Sequence, residues 1–210
     1  MIKARFGADF DRVVLGVFPF LSRVGLKPDT LTIMGVVASL ASGVAFALGQ
    51  LAWAAALLFV AGFFDLIDGV VARCQGRSCS FGAFFDSSMD RLADLLVFSG
   101  IAVGMAAAGD LGGVVLVCWA LSGAIMTSYT RARAERHLEN FAIGWMERGE
   151  RCVILILGGL TGWLKLALWV VAIGASVTSV QRLVAARRLL RQLDENGTDP
   201  TRQPDPAMEV

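Results

Sequence analysis

The sequence is poor in the residue types that usually carry acid–base and soft-metal chemistry. It contains one histidine, His137, and four cysteines among 210 residues. His137 lies in a charged segment, and we interpret it as a surface residue rather than a general base. Cys74 and Cys79 flank a short polar turn, but two thiols without a nearby histidine or further cysteines do not complete a zinc site. Four cysteines in this chain also do not form the disulfide framework of a small secreted domain.

Charged residues are scarce as well, at 18% of the chain, whereas 56% of the residues are hydrophobic and the mean hydropathy is +0.64. This composition is far from that of an average soluble domain and is typical of a polytopic membrane protein. The net charge of +1 does not indicate any class of partner. The positions of the few charged residues are therefore more informative than their sum.

Long apolar runs predict an all-α membrane protein with six transmembrane helices. The expected spans cover residues 31–48, 51–68, 86–108, 112–129, 147–162 and 163–180, and the last continues as a basic segment to 191. Apolar side chains at helical spacing predict that 1–27 forms an amphipathic helix on the membrane surface, although a soluble packing helix is the alternative. We expect 28–191 to be one domain and the polar segment 192–210 to be a disordered tail.

The distribution of basic residues predicts the orientation of these spans. With a cytoplasmic N-terminus, every Lys and Arg except Lys165 falls in a segment on the inner side. Lysine and arginine are enriched in cytoplasmic loops of membrane proteins. We therefore expect both termini, and the turn that joins the second and third spans, to face the cytoplasm.

Four aspartates, Asp65, Asp68, Asp86 and Asp90, interrupt the apolar sequence around that turn. The first two are three residues apart and the last two are four apart, so each pair shares one face of a helix. Four acids in a low-dielectric environment do not all stay ionised unless a cation compensates them. Hard oxygen ligands at this density predict a site for Mg²⁺, Mn²⁺ or Ca²⁺.

Glycines and arginines beside the acids indicate that a phosphate-bearing ligand binds there too. Gly69 and Gly82 allow close approach of the backbone to a ligand, and Arg73 and Arg77 add the positive charge that a phosphate needs. The alternative is that the aspartates are solvated charges on a loop. Two same-face pairs that flank a short polar turn favour a functional site, since intramembrane acids usually mark one.

These residues form a pattern with fixed spacing. It reads Asp65-x2-Asp68-Gly69-x2-Ala72-Arg73-x8-Gly82-x3-Asp86-x3-Asp90. The pattern resembles the signature of the CDP-alcohol phosphatidyltransferases. The resemblance implies a homodimeric enzyme of the cytoplasmic (inner) membrane that moves a phosphatidyl group from CDP-diacylglycerol to an alcohol and releases CMP. It also implies a two-metal site for Mg²⁺ or Mn²⁺.

Roles for individual residues follow from the resemblance. Asp65, Asp68 and Asp86 would be metal ligands, and Asp90 would be the general base with possible ligand character. Gly69, Ala72, Arg73 and Gly82 would form the CDP pocket. Asp29 and Thr32 would join it, because Pro28-Asp29-x-Leu31-Thr32 resembles the family's Pro-Asn-x-Leu-Thr, although helix capping explains Asp29 equally well. Asp94 is either a fifth acid or a buried hydrogen-bond partner for Arg91 or a neighbouring helix.

The second half of the chain bears on the acceptor alcohol. Segments around Arg131, Arg148 and Arg182 resemble those of the phosphatidylinositol-phosphate synthases and their archaeal-lipid relatives, which implies that these arginines bind the phosphate of inositol phosphate. Anchoring at anionic lipid headgroups is the alternative role for such arginines. Glycerol 3-phosphate is the alternative acceptor, since it carries a phosphate too. A divalent-cation transporter is less favoured, because the acids cluster near one face and no inverted repeat is evident.

Overall fold

Six α-helices form the regular structure of the residues that this computed structural model describes, which are 28–74, 80–138 and 141–196. The helices are α1 (Pro28–Ala47), α2 (Leu51–Cys74), α3 (Ser80–Ala107), α4 (Leu111–Ala134), α5 (Arg148–Thr161) and α6 (Leu164–Asn196). The all-helical prediction is confirmed. The amphipathic helix predicted for 1–27 lies outside the described residues. Helix α6 continues through 192–196, the start of the predicted tail, and 197–210 lies outside the described residues.

Four of the described helices are long and apolar enough to cross a membrane. They comprise Pro28–Ala47, Leu51–Val71, Leu111–Ala134 and Leu164–Glu195. Helix α3 has 28 residues, but its first half carries several charged side chains. Helix α5 has 14 residues, which corresponds to about 21 Å at 1.5 Å per residue, less than the ~30 Å of a hydrocarbon core. The prediction of six spans is therefore supported for four helices.

Two tight turns of the same design join α1 to α2 and α3 to α4. Gly49 and Gly109 follow the ends of α1 and α3 with φ of +72° and +73°. This left-handed conformation ends a helix with little steric cost only when the residue is glycine. Asp110 then caps α4, because its side chain accepts a hydrogen bond from the backbone of Gly113 at 3.0 Å. These turns fold neighbouring helices back against one another.

All six helices contribute to one apolar core. Helix α1 packs against α2 and α3, α4 packs against α3 and α6, and α5 contacts α2 and α6. Buried members from the six helices include Phe46, Leu58, Phe98, Val117, Leu155 and Leu168. A smaller cluster of Leu31, Ile67, Val70 and Val71 joins the start of α1 to the end of α2. Outside this apolar core, the polar end of α2 lies near the polar start of α3.

Small residues allow α1 and α3 to cross in backbone contact. A Cβ atom on Gly43 would lie 2.5 Å from the carbonyl oxygen of Leu96, and a Cβ atom on Gly100 would collide with the carbonyl group of Gly43. Ser39 and Ser42 on the same face of α1 are fully buried within this chain. Small side chains of α1 therefore serve packing inside the subunit.

We expect Gly100→Ala to destabilise the protein, because the added methyl group meets backbone atoms that cannot rotate away. The cost should be about 1–3 kcal/mol, as for other overpacked contacts. Thermal unfolding in detergent measures it. Gly62→Ala is the matched control, since a Cβ atom there meets nothing within 4 Å. An unchanged melting temperature for Gly100→Ala would show that the crossing is looser than described.

Candidate metal and phosphate site

The end of α2 and the start of α3 bring three of the four predicted metal ligands together. Asp65, Asp68 and Asp86 each offer a carboxylate oxygen, and these oxygens lie within 4.8 Å of one another. Asp68 is buried, at 5% exposure, and the other two are partly buried. The spacing of three residues puts Asp65 and Asp68 on one face of α2, and the start of α3 brings Asp86 to that face.

The donor set of this cluster fits a hard divalent cation. Its ligands are carboxylate oxygens, which suit Mg²⁺ and Mn²⁺ better than softer metals. Three carboxylates at this separation also repel one another, and partial burial strengthens the repulsion. A bound cation would relieve that repulsion, so the cluster is built to hold one.

Asp90 lies beside the other acids and shares an arginine partner with Asp65. Arg148, at the start of α5, donates through Nη1 to Asp65 Oδ1 at 2.8 Å and to Asp90 Oδ1. Arg148, which the sequence predicted to bind the acceptor phosphate, is thus in direct contact with the acids. A carboxylate held by an arginine retains its charge more easily than an isolated buried one.

Asp94, one helical turn after Asp90, connects α3 to α5. Its Oδ2 accepts a hydrogen bond from Arg151 Nη2 at 2.5 Å, and its Oδ1 lies 3.6 Å from Arg148 Nε. Arg151 is almost fully buried, at 2% exposure. Of the roles considered for Asp94, the structure shows the contact with a neighbouring helix, while Arg91 donates to the backbone of Ser87.

One of the residues predicted to bind CDP contacts an acid directly. Thr32 Oγ1 donates to Asp68 Oδ2 at 2.8 Å. Asp29 is exposed within the first turn of α1, so it does not cap that helix. A cavity of about 10 Å³, the space of about one water molecule, is lined by Thr32, Gly35, Asp65, Asp68, Asp90 and Arg148, among others.

The four other predicted CDP residues are placed by their helices. Gly69 follows Asp68 on α2, and Gly82 lies in the first turn of α3. Ala72 and Arg73 belong to the last turn of α2, and the positions of their side chains lie outside the described part of the chain. Helix periodicity thus groups Gly69 and Gly82 with the acids on the same two helix ends.

The other two predicted acceptor arginines meet at one carboxylate. Arg131 Nη1 and Arg182 Nη2 both donate to Glu147 Oε1, at 3.1 and 3.3 Å. Arg182 is 2% exposed and also donates to the carbonyl oxygens of Ile143 and Thr127, each at 2.6 Å. These bonds hold the Arg182 guanidinium in one orientation, whereas the Arg131 side chain is 40% exposed.

Glu147 is a site residue that the sequence reasoning did not single out. It is the N-cap of α5, and with Glu150 it forms a capping box. A Glu-x-x-Glu sequence at the start of an apolar run is the signal for this arrangement. Because Arg148 is the next residue, the start of α5 reaches the paired arginines with one side chain and the acids with the other.

The fold and the site together define a helical membrane protein with a carboxylate cluster for a divalent cation and an adjacent arginine-rich region. The model of the CDP-alcohol phosphatidyltransferase family matches residues 26–181, and the chain belongs to this family. It is a phospholipid-synthesising transferase that depends on a divalent metal.

Two relatives within the family that are similar to this chain are synthases of inositol phosphate lipids. The chain is 39% identical over 211 aligned residues to the phosphatidylinositol phosphate synthase of Streptomyces avermitilis, with 92% of this chain and 86% of the relative covered. It is 37% identical to the archaetidylinositol phosphate synthase of Methanothermobacter thermautotrophicus, with 79% and 86% covered.

Solved structures of Mycobacterium tuberculosis phosphatidylinositol phosphate synthase are similar in fold. The form with CDP-DAG bound has a TM-score of 0.72 and 32% identity, covering 83% of this chain and 94% of that protein. The form in complex with manganese and citrate has the same TM-score, 31% identity, and coverage of 85% and 88%. The predicted family membership is therefore confirmed.

We expect Thr32→Val to lower metal affinity or activity about tenfold, because removal of a residue that orients a metal ligand typically costs 10–100-fold. The substitution keeps the side-chain shape and deletes the hydrogen bond to Asp68. Thr32→Ser should restore most of the loss, and Thr30→Val, at an exposed position of α1, should have no effect. Full activity of Thr32→Val would show that the Asp68 contact is not needed.

Proposed function

We propose that this protein is a phosphatidylinositol phosphate synthase, which transfers a phosphatidyl group from CDP-diacylglycerol to a hydroxyl of inositol phosphate and releases CMP. The observation that carries the proposal is the 39% identity to a synthase of this name across 92% of the chain. The proximity of a carboxylate cluster to paired arginines supports it further, because one substrate carries a pyrophosphate and the other a phosphate.

The proposed metal ligands are Asp65, Asp68 and Asp86, with Asp90 completing a two-metal site for Mg²⁺ or Mn²⁺. When bound, the metals supply charge neutralisation at the pyrophosphate of the CDP-lipid. The grouping of three carboxylate oxygens within 4.8 Å supports this assignment. The buried Asp68, oriented by Thr32, provides a fixed ligand, and rigid ligands favour a defined geometry over a loosely held ion.

Asp90 is the proposed general base. The acceptor hydroxyl loses its proton to the Asp90 carboxylate while its oxygen bonds to the phosphorus attached to diacylglycerol. The bond from that phosphorus to the CMP oxygen breaks, and CMP leaves with the electron pair. The position of Asp90 supports this role, because its carboxylate and that of the proposed ligand Asp65 both contact Nη1 of Arg148 and therefore lie side by side.

The proposed CDP pocket comprises Asp29, Thr32, Gly69, Ala72, Arg73 and Gly82. The hydrogen bond from Thr32 to Asp68 supports it, as does the location of the two glycines at the same helix ends as the acids. Small residues allow the nucleotide to approach the helices closely. A guanidinium at Arg73 would then pair with the phosphates of the donor.

Arg131, Arg148 and Arg182 are the proposed ligands of the acceptor phosphate. The shared contact of Arg131 and Arg182 with Glu147 supports a common anion-binding region. Arg148 follows Glu147 directly and contacts Asp90, so the region is adjacent to the proposed base. This arrangement would bring the acceptor hydroxyl and its phosphate into reach of the same end of α5.

The wider assignment follows the same family. We infer that 1–27 is an amphipathic helix, that 28–191 is the catalytic domain and that the chain ends in a polar tail. We further propose a homodimer in the cytoplasmic membrane with the active site and both termini on the cytoplasmic side. The asymmetric distribution of Lys and Arg supports this orientation.

CMP release from CDP-diacylglycerol by the detergent-purified protein with Mg²⁺ or Mn²⁺ is the direct test. We expect release with inositol 1-phosphate and little with glycerol 3-phosphate, serine or free inositol. Asp90→Asn should lower the rate at least 100-fold, since general base catalysis typically contributes 10²–10⁴. Release with glycerol 3-phosphate instead would identify a phosphatidylglycerol-phosphate synthase. Cation flux in vesicles without acceptor-dependent CMP release would favour a transporter.

The acceptor assignment predicts a selective kinetic effect of Arg131→Gln. Loss of one charged hydrogen bond of about 1.5–3 kcal/mol should raise KM for inositol phosphate roughly 10- to 100-fold. The KM for CDP-diacylglycerol should stay unchanged. Arg133→Gln removes the same charge from an exposed position of α4 and is the matched control. An equal change in both KM values would argue against a role at the acceptor alone.

A further inference from the structure

The start of α5 places one guanidinium between two sets of carboxylates. Arg148 Nη1 donates to Asp65 Oδ1 at 2.8 Å and to Asp90 Oδ1, while its Nε lies 3.6 Å from Asp94 Oδ1. The side chain is 18% exposed. A largely buried charge that loses its partner is strongly destabilising. Arg148 therefore needs carboxylate contacts in every state of the site.

Two carboxylate partners of Arg148 are also proposed ligands of the divalent cation. Asp65 belongs to the cluster of three carboxylates, and Asp90 is the fourth acid of the motif. An oxygen that accepts a hydrogen bond from Arg148 is less available to a divalent cation, and two positive charges at one carboxylate pair repel each other. Arg148 and a divalent cation thus compete for the same acids.

Asp94 offers Arg148 another partner. It lies one turn beyond Asp90 on α3 and outside the aspartate motif, and its Oδ2 is held by the buried Arg151 at 2.5 Å. That contact leaves Oδ1 directed at Arg148. The guanidinium needs little movement to favour Asp94, because Arg148 Nε already lies 3.6 Å from Asp94 Oδ1. The adjoining cavity, lined in part by Ser39, Asp94, Arg148 and Arg151, is only about 10 Å³, the space of about one water molecule.

We propose that Arg148 is a resident counter-cation of the metal site, which moves from Asp65 and Asp90 to Asp94 when a divalent cation binds. Asp94 and Arg151 act as positioning residues, because they keep a carboxylate ready for the displaced guanidinium. The inference rests on the proposed metal role of Asp65 and Asp86. Before the metal binds, Arg148 compensates the charge of Asp65 and Asp90. After the metal binds, Asp90 is free of Arg148 and available as the proposed general base.

Binding of Mn²⁺ alone to the full-length protein in detergent tests the competition. Free Mn²⁺ is quantified by its electron paramagnetic resonance signal, so the readout does not depend on activity. Arg148→Gln should bind Mn²⁺ about tenfold more tightly than the unaltered protein, because the competing charge is gone. In metal-free buffer Arg148→Gln should melt at a lower temperature than the unaltered protein, and saturating Mn²⁺ should remove this difference.

Two variants control for charge and for folding. Arg148→Lys keeps the cation and should show an affinity within about threefold of the unaltered protein. Arg133→Gln removes a charge from an exposed position of α4 and should not change Mn²⁺ binding. Size-exclusion chromatography in the presence of Mn²⁺ verifies that each variant is folded. Weaker or unchanged Mn²⁺ binding by a folded Arg148→Gln protein would overturn the proposal.

The role of Asp94 is tested by combining substitutions. Asp94→Asn should weaken Mn²⁺ binding about tenfold when Arg148 is present, because the displaced guanidinium then lacks its second partner. In the Arg148→Gln background the same change should have little effect. An equal weakening in both backgrounds would mean that Asp94 acts through its own charge, and the positioning role would be wrong.

Asp86→Asn separates failure of this inference from failure of the proposed metal site. Arg148 contacts Asp65, Asp90 and Asp94, whereas Asp86 enters the argument only as a proposed metal ligand. If Mn²⁺ binding is lost in Asp86→Asn but Arg148→Gln binds as the unaltered protein does, only the counter-cation role fails. If the unaltered protein does not bind Mn²⁺, or Asp86→Asn binds it normally, the metal site and this inference fail together.

Discussion

Mutual repulsion among carboxylates in a low-dielectric environment is the constraint on which this structure depends. Asp65, Asp68 and Asp86 are close enough that their charges require compensation. The fold supplies part of it through Arg148, which reaches the acids from a different helix. The helices around the site are therefore joined by charge as well as by apolar packing, and a change in the cation content of the site acts on their association.

The apolar core and the polar site are separated along the helices. Backbone contact between α1 and α3 at Gly43 and Gly100 brings these two helices close. A separate packing contact, between α1 and α2, lets Thr32 reach Asp68. Helix α1 therefore contributes backbone contact to the core and a side-chain hydrogen bond to the site.

Local spacing made much of this site predictable. The pairs Asp65–Asp68 and Asp86–Asp90 lie within single helices, so helical periodicity alone predicts that each pair shares a face. The helix ends near Gly49 and Gly109 were predictable for the same local reason. Contacts between distant residues were not: Arg148 is 83 residues from Asp65 and 58 from Asp90. No periodicity relates such positions, and the sequence accordingly grouped Arg148 with Arg131 and Arg182.

Glu147 was missed because a helix N-cap has a sufficient local role, which gives no hint of two arginine partners. The sequence predicted six spans, two more than the four that the structure supports. Helix α5 is apolar but short, and the first half of α3 carries charged side chains.

The two halves of the chain carry separate chemistry and meet at few polar points. Acids that suit a pyrophosphate lie on α2 and α3, whereas Arg131 and Arg182 lie on α4 and α6. The start of α5 touches both groups through two consecutive residues, Glu147 and Arg148. Under the proposed assignment, the acceptor region on α4 and α6 can change while the donor site on α2 and α3 stays the same. The short helix α5 is then the junction that keeps the two regions aligned.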